Sequence, residues 1–305
     1  MFRRSPARTR RGSSLGIWAD RVSWQWDPLS GGNIEQALAV ATCMTSLAIR
    51  TIDALRQEHD ALAGVAAALT DDQLSGPSGA SEWSVAQVLS HLGSGAEITL
   101  ASLRAARGEG DAASDDFNRS VWDRWDAMAP AEQRAAFIEC DVRLVEALEG
   151  LTPEQHASLT LPIGFLPAPA TVATFGGLRL NEVAHHSWDV RVAADSGARL
   201  FEASTSVLLD QLSGDLAVLV GFAGKADRID QRVVLAVGDS GYGIAIDDSV
   251  SLVPEVEGAT ATFAGASEAA LRLVFGRLGP AYTPADVAVT GNVTLDELRQ
   301  VFPGF

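Results

Sequence analysis

The period of the hydrophobic pattern changes once along this chain, near Gly224, and that change limits the possible folds more than any other feature. Before it, apolar residues recur at helical spacing. Leu47, Ile52, Leu55, Leu62, Val65 and Leu69 share one helical face over residues 46–70. Asp71-Asp72 and Gly76-Pro77-Ser78-Gly79 close that segment. Ser84 opens a second helix with Gln87 three residues on, the capping-box spacing, and that helix runs to about Arg107. Phe117, Val121, Trp122 and Trp125 mark a third helix. Pro130 suits the first turn of a fourth, which Gly150 terminates. The Pro-rich stretch 151–172 is loop-like, a candidate lid or site wall. One helix follows from about Leu178 to Gly197, and another over about 203–222.

After Gly224 the pattern turns to short β-type runs: Arg232 to Val237, Tyr242 to Ile246, Thr260 to Phe263 and Val287 to Thr290. Two short helices interleave, one capped by Ser267 and one by Thr294 with Glu297 at capping-box spacing. The predicted class is α+β: an up-down helix bundle over residues 44–223 and a small α+β domain over 224–305. Residues 1–43, with five crowded arginines and no sustained pattern, are expected to be a disordered or spurious extension.

A formal net charge of −16 argues against a nucleic-acid or anionic-membrane surface and leaves a small molecule as the expected partner. Cys43 and Cys140 have no paired spacing, which fits a reducing, cytoplasmic setting. No apolar run reaches the roughly 18 residues that mark a membrane-spanning helix.

Glu182 and His186 stand four apart, so a helix places both on one face, one turn apart. With His91 from another helix they make a two-His, one-Glu set, a donor combination known for catalytic zinc. Each residue also has an ordinary reading: Glu182 and His186 as an ion-paired surface face, His91 as a core histidine bonded to a carbonyl. Val88, Leu89 and Leu92 around His91 predict that it points inward. Asp189, three residues beyond His186, is placed to accept from a ligand imidazole. His185 lies about 100° around the helix and reads as a neighbour.

Trp83-Ser84-Val85, Leu89, His91-Leu92 and Glu182-x-x-x-His186-x-x-Asp189, in that order, resemble the mycothiol-dependent maleylpyruvate isomerase family, a branch of the DinB-like metal-binding bundles. The tail from Thr260 through Leu271–Leu278 to Pro303 is similar to that family's sterol-carrier-like C-terminal domain. The resemblance implies a divalent metal, usually zinc, on His91, Glu182 and His186, with mycothiol as thiol cofactor. It implies an enzyme in which a metal-stabilised thiolate adds to a small electrophile, by cis–trans isomerisation or thiol transfer. Arginine forks match carboxylates, so Arg277 is the candidate catalytic anchor, and Arg119 and Arg124 are candidates for cofactor binding. The competing readings are a zinc-hydroxide hydrolase and a non-catalytic small-molecule or lipid carrier.

Overall fold

The computed structural model describes residues 32–304 apart from residue 239, with side chains from residue 47 onward. The fold is α+β, a bundle of long helices followed by a small mixed sheet with its own helices. Most of the extension 1–43 lies outside the described residues. Both parts belong to one compact body, Val40–Phe305.

Helix α1 (Gly32–Ala68) buries Ala48, Ile52, Leu55, His59, Leu62 and Ala66. Their four-three alternation is the seam of a helix packed on its neighbours. His59 is the polar member of that seam. Its Nδ1 meets Asp141 Oδ2 at 2.8 Å, and Arg179 donates to Asp141 Oδ1 at 2.8 Å, so three buried charged or polar groups pair with one another. Thr70 caps a short extra helix, α2 (Asp71–Ser75), where the sequence reads only as a stop.

Helix α3 (Val85–Ala106) begins at the Ser84–Gln87 capping box, and α4 (Asp115–Asp126) and α5 (Pro130–Glu149) follow it. α3 packs mainly on α5. The segment read as loop, 151–172, holds α6 (Pro153–Ser158) and a two-stranded ribbon of β1 (Thr160–Leu161) and β2 (Ala170–Thr171).

Helix α7 (Val172–Ala194) is buried on nearly every face. A helix buried all round normally carries apolar residues throughout. α7 instead buries Arg179, Asn181, His185, Ser187 and Asp189 as well. Each such group requires a partner, and these demands organise the site.

The helix expected over 203–222 is two: α8 (Glu202–Leu212) and α9 (Ala217–Ala223), with a bend of 93° between α8 and the segment Ala217–Arg228. Ser213-Gly214-Asp215 breaks the helix, while burial of both arms keeps the apolar pattern running across the break. Among the described residues no single helix is long and apolar enough to cross a membrane.

The second part contains β3 (Val233–Val237), β4 (Tyr242–Ile246), β5 (Val250–Pro254), β6 (Ala261–Ala264) and β7 (Ala288–Gly291), in sheet order β5-β4-β3-β6-β7. Strand β3 pairs antiparallel with β4 and parallel with β6. β5, on the sheet edge and ending in Pro254, was not foreseen from sequence. Helix α10 (Ser267–Val274) is buried throughout between sheet and bundle, with Ala266 rather than Ser267 at its N-cap; α11 (Leu295–Val301) starts at the Thr294–Glu297 box. Arg272 of α10 pairs with Glu268 at 2.8 Å, and its guanidinium lies 5.2 Å from the Trp188 ring of α7. The sheet domain is thereby clamped to the helix that carries Glu182 and His186.

Candidate metal centre

His91 comes from the first turns of α3, and Glu182 and His186 from the middle of α7. One donor atom from each lies within 4.8 Å of the others. His91 Nε2 is 3.0 Å and His186 Nε2 3.8 Å from Glu182 Oε2. The two imidazoles meet edge to face, with centroids 4.8 Å apart. Trp83 stacks on His186 at 5.8 Å and tilts over His91 at 5.2 Å, walling the cluster on one side.

One expectation about burial needs correction. His91 does not point into the core: its side chain is 39% exposed and opens toward a cavity. The Glu182 side chain is 48% exposed and faces the same cavity. What convergence requires is that α3 and α7 run side by side with these faces turned to the same opening.

Asp189 lies where the three-residue spacing predicts, with Oδ2 2.8 Å from His186 Nδ1. It is fully buried, and Arg277 binds it with Nε at 3.0 Å from Oδ1 and Nη2 at 2.7 Å from Oδ2. Burial pushes the Asp189 carboxyl up, but the His186 bond and the Arg277 charge outweigh it and hold it below its ordinary value. Burial pulls the His186 imidazole down, against the pull of Asp189. For Glu182, desolvation acts upward, yet the His91 bond and neighbouring positive charge bring it down to about 2.

These facts allow a test of whether the residues suit a divalent ion. With its Nδ1 hydrogen given to Asp189, a neutral His186 aims the Nε2 lone pair at the carboxylate of Glu182. Two acceptors so placed repel unless a cation lies between them, and a proton on His186 is disfavoured. A carboxylate and two imidazoles around one point, with an outer carboxylate orienting an imidazole, fit such an ion.

The cluster opens on a cavity of about 500 Å³. Gly79–Trp83 form one wall, and Phe275, Gly276, Arg277, Pro303 and Gly304 another. Arg277 of the sheet domain therefore reaches the site, but all three guanidinium nitrogens already donate to Asp189 or the Phe275 carbonyl. Arg119 is exposed on α4 and does not line the cavity. Arg124 pairs with Glu97 and lines a different cleft. No residue of 151–172 lines the cavity.

Sequence reasoning missed the wall at 79–83. Gly79 donates to the Asp189 carbonyl at 2.8 Å, and a Cβ there would lie 2.7 Å from Val192 and 3.0 Å from Asp189 Cα. Only glycine permits that approach of loop to helix. Glu82 in the same wall has φ of 67°, outside the usual region for a side-chain-bearing residue. The signal was the Gly-Pro-Ser-Gly cluster, read only as a helix stop.

Residues 55–191 match the family model described as the mycothiol maleylpyruvate isomerase N-terminal domain, a span that holds His91, Glu182, His186 and Asp189. Crystal structures of the mycothiol-dependent maleylpyruvate isomerase and of a mutant form of it are similar to this chain at a TM-score of 0.55 and 15% identity, covering 81% of this chain and 94% of each of theirs. No curated protein matches the sequence. The chain thus bears family-level similarity to that isomerase domain over its helical part and shares the enzyme's fold over most of its length.

Proposed function

We propose that this protein is a metal- and mycothiol-dependent enzyme acting on a small electrophile, as an isomerase or a thiol S-transferase. The observation that carries the reading is the convergence of His91, Glu182 and His186 within 4.8 Å at the mouth of a cavity. The match of residues 55–191 to the isomerase domain supports it. The reading takes residues 44–223 as the metal-holding bundle and 224–305 as a sterol-carrier-like domain that completes the cavity.

A divalent ion, zinc by preference, would be held by His91, Glu182 and His186 and would favour thiolate over thiol. The chain's own residues have distinct roles. Asp189 accepts a hydrogen bond from the Nδ1–H of His186 and so keeps the Nε2 lone pair free. Arg277 holds Asp189 ionised and in place. The Trp83 indole packs against both imidazoles and walls one side of the cluster.

Metal analysis tests the reading directly. The protein should hold about one equivalent of zinc, and His91→Ala and His186→Ala should lose it while keeping the wild-type circular dichroism. Full metal content in both variants removes the site. Calorimetry should then show mycothiol binding only to metal-loaded protein, and a screen of electrophiles that includes maleylpyruvate should separate isomerase from transferase.

A further inference from the structure

His185 and Asn181 of α7 line the same cavity, and His185 Nε2 and Asn181 Oδ1 are buried beside it without a hydrogen-bond partner among the described residues. His185 is 2% exposed and Asn181 7%. Neither belongs to the His91–Glu182–His186 set. His185 Nδ1 lies 2.8 Å from the backbone carbonyl of Asn181, and a carbonyl only accepts. The ring therefore donates from Nδ1 and keeps a lone pair on Nε2. Turning the ring over would break this bond, so the hydrogen bond fixes its orientation. Phe275 packs beside the ring, with centroids 4.4 Å apart.

The cavity brings several acceptors together. Glu82 and Glu182 line it, and its one cationic lining residue among those described, Arg277, has each nitrogen engaged. A buried acceptor without a donor is a desolvated group that gains when a ligand supplies one. We propose that His185 Nε2 and the side-chain oxygen of Asn181 form a donor-recognising subsite beside the triad, selecting ligands that carry a hydroxyl or N–H group. The inference rests on the reading of the triad as a thiolate-accepting metal centre.

Matched thiols on the cobalt-loaded full chain test it. The probes are 2-mercaptoethanol and 3-mercapto-1-propanol, against 1-propanethiol and 1-butanethiol of equal length. The thiolate-to-cobalt absorption band reports binding. His185→Phe should lower the preference for the hydroxyl-bearing member of at least one pair by roughly 3- to 10-fold, the factor one net hydrogen bond supplies. Alkanethiol affinity and cobalt content should stay at wild-type values. His185→Gln, which restores an acceptor, should recover part of the preference. Asn181→Leu reports the second acceptor and serves if His185→Phe does not fold. A preference unchanged in both His185→Phe and Asn181→Leu overturns the subsite while leaving the metal centre intact. Absence of the band with every thiol overturns the metal–thiolate reading, and this inference with it.

Discussion

Replacing Asp189 by asparagine separates the two duties of that residue. Its carboxylate is fully buried and takes His186 Nδ1 at 2.8 Å on Oδ2, with Arg277 nitrogens at 2.7 Å and 3.0 Å. Asparagine keeps the shape and removes the charge. Its amide must also turn an NH2 toward one of two partners that are both donors. Removing one member of a buried ion pair typically costs 3–5 kcal/mol because the other is left uncompensated. The Arg277 side chain retains 14% exposure, which gives it some solvent, so the expected loss is at the lower end, about 3 kcal/mol. The second effect falls on metal affinity. An imidazole whose far nitrogen lacks an acceptor loses orientation and basicity, and such changes typically cost about 10- to 100-fold. Urea denaturation of chelator-treated protein reads the first effect, and zinc titration reads the second. The double variant Asp189→Asn/Arg277→Met should regain part of the stability, since no cation is left unpaired, but not the metal affinity. A single variant with the wild-type urea midpoint and zinc affinity within about twofold of wild type would refute the linkage between Arg277, Asp189 and His186.

Glu58 should impose a pH-dependent weakness on the bundle. It is completely buried, with one carboxyl oxygen accepting from Ser204 at 2.7 Å and the other without a partner. Burial raises its carboxyl above the ordinary 4.5, against the pull of Ser204 and Arg191. The stability this contributes is complete below pH 4.5 and is lost as pH rises through the folded-state value. Glu58→Gln cannot ionise, so urea denaturation across that range should find the variant gaining on wild type as pH rises; a constant difference would contradict it. Gly93→Ala should loosen α3 from α4, because the added Cβ would lie 2.1 Å from the Trp125 ring. Overpacking of this kind costs about 1–3 kcal/mol, and a thermal melt at the wild-type temperature would count against the packing described.

What was readable before the fold was known is whatever depends on residues near one another in sequence. The Ser84–Gln87 and Thr294–Glu297 boxes start helices where expected, because a cap satisfies orphan N–H groups within its own first turn. Pro130 and Gly150 bound α5 for equally local reasons. The pairing of Glu182 with His186, and the reach of Asp189 to His186, follow from helical spacing alone. The break between α8 and α9 and the edge strand β5 were not legible: burial continues across the first, and the second ends in a proline.

The sequence by itself therefore determined the order of the main helices and of strands β3, β4, β6 and β7, the point at which the fold changes from helical to mixed, and which side chains share the face of α7. Tertiary structure alone decided that α3 sets His91 beside that face, that the loop at Gly79 presses Trp83 over it, and that Arg277 reaches Asp189 across 88 residues. The physical reason is range. Capping and helical periodicity act within a turn or two of chain, whereas the separation of His91 from Glu182, 91 residues apart, is set only when the buried surfaces of whole helices find their lowest free energy together.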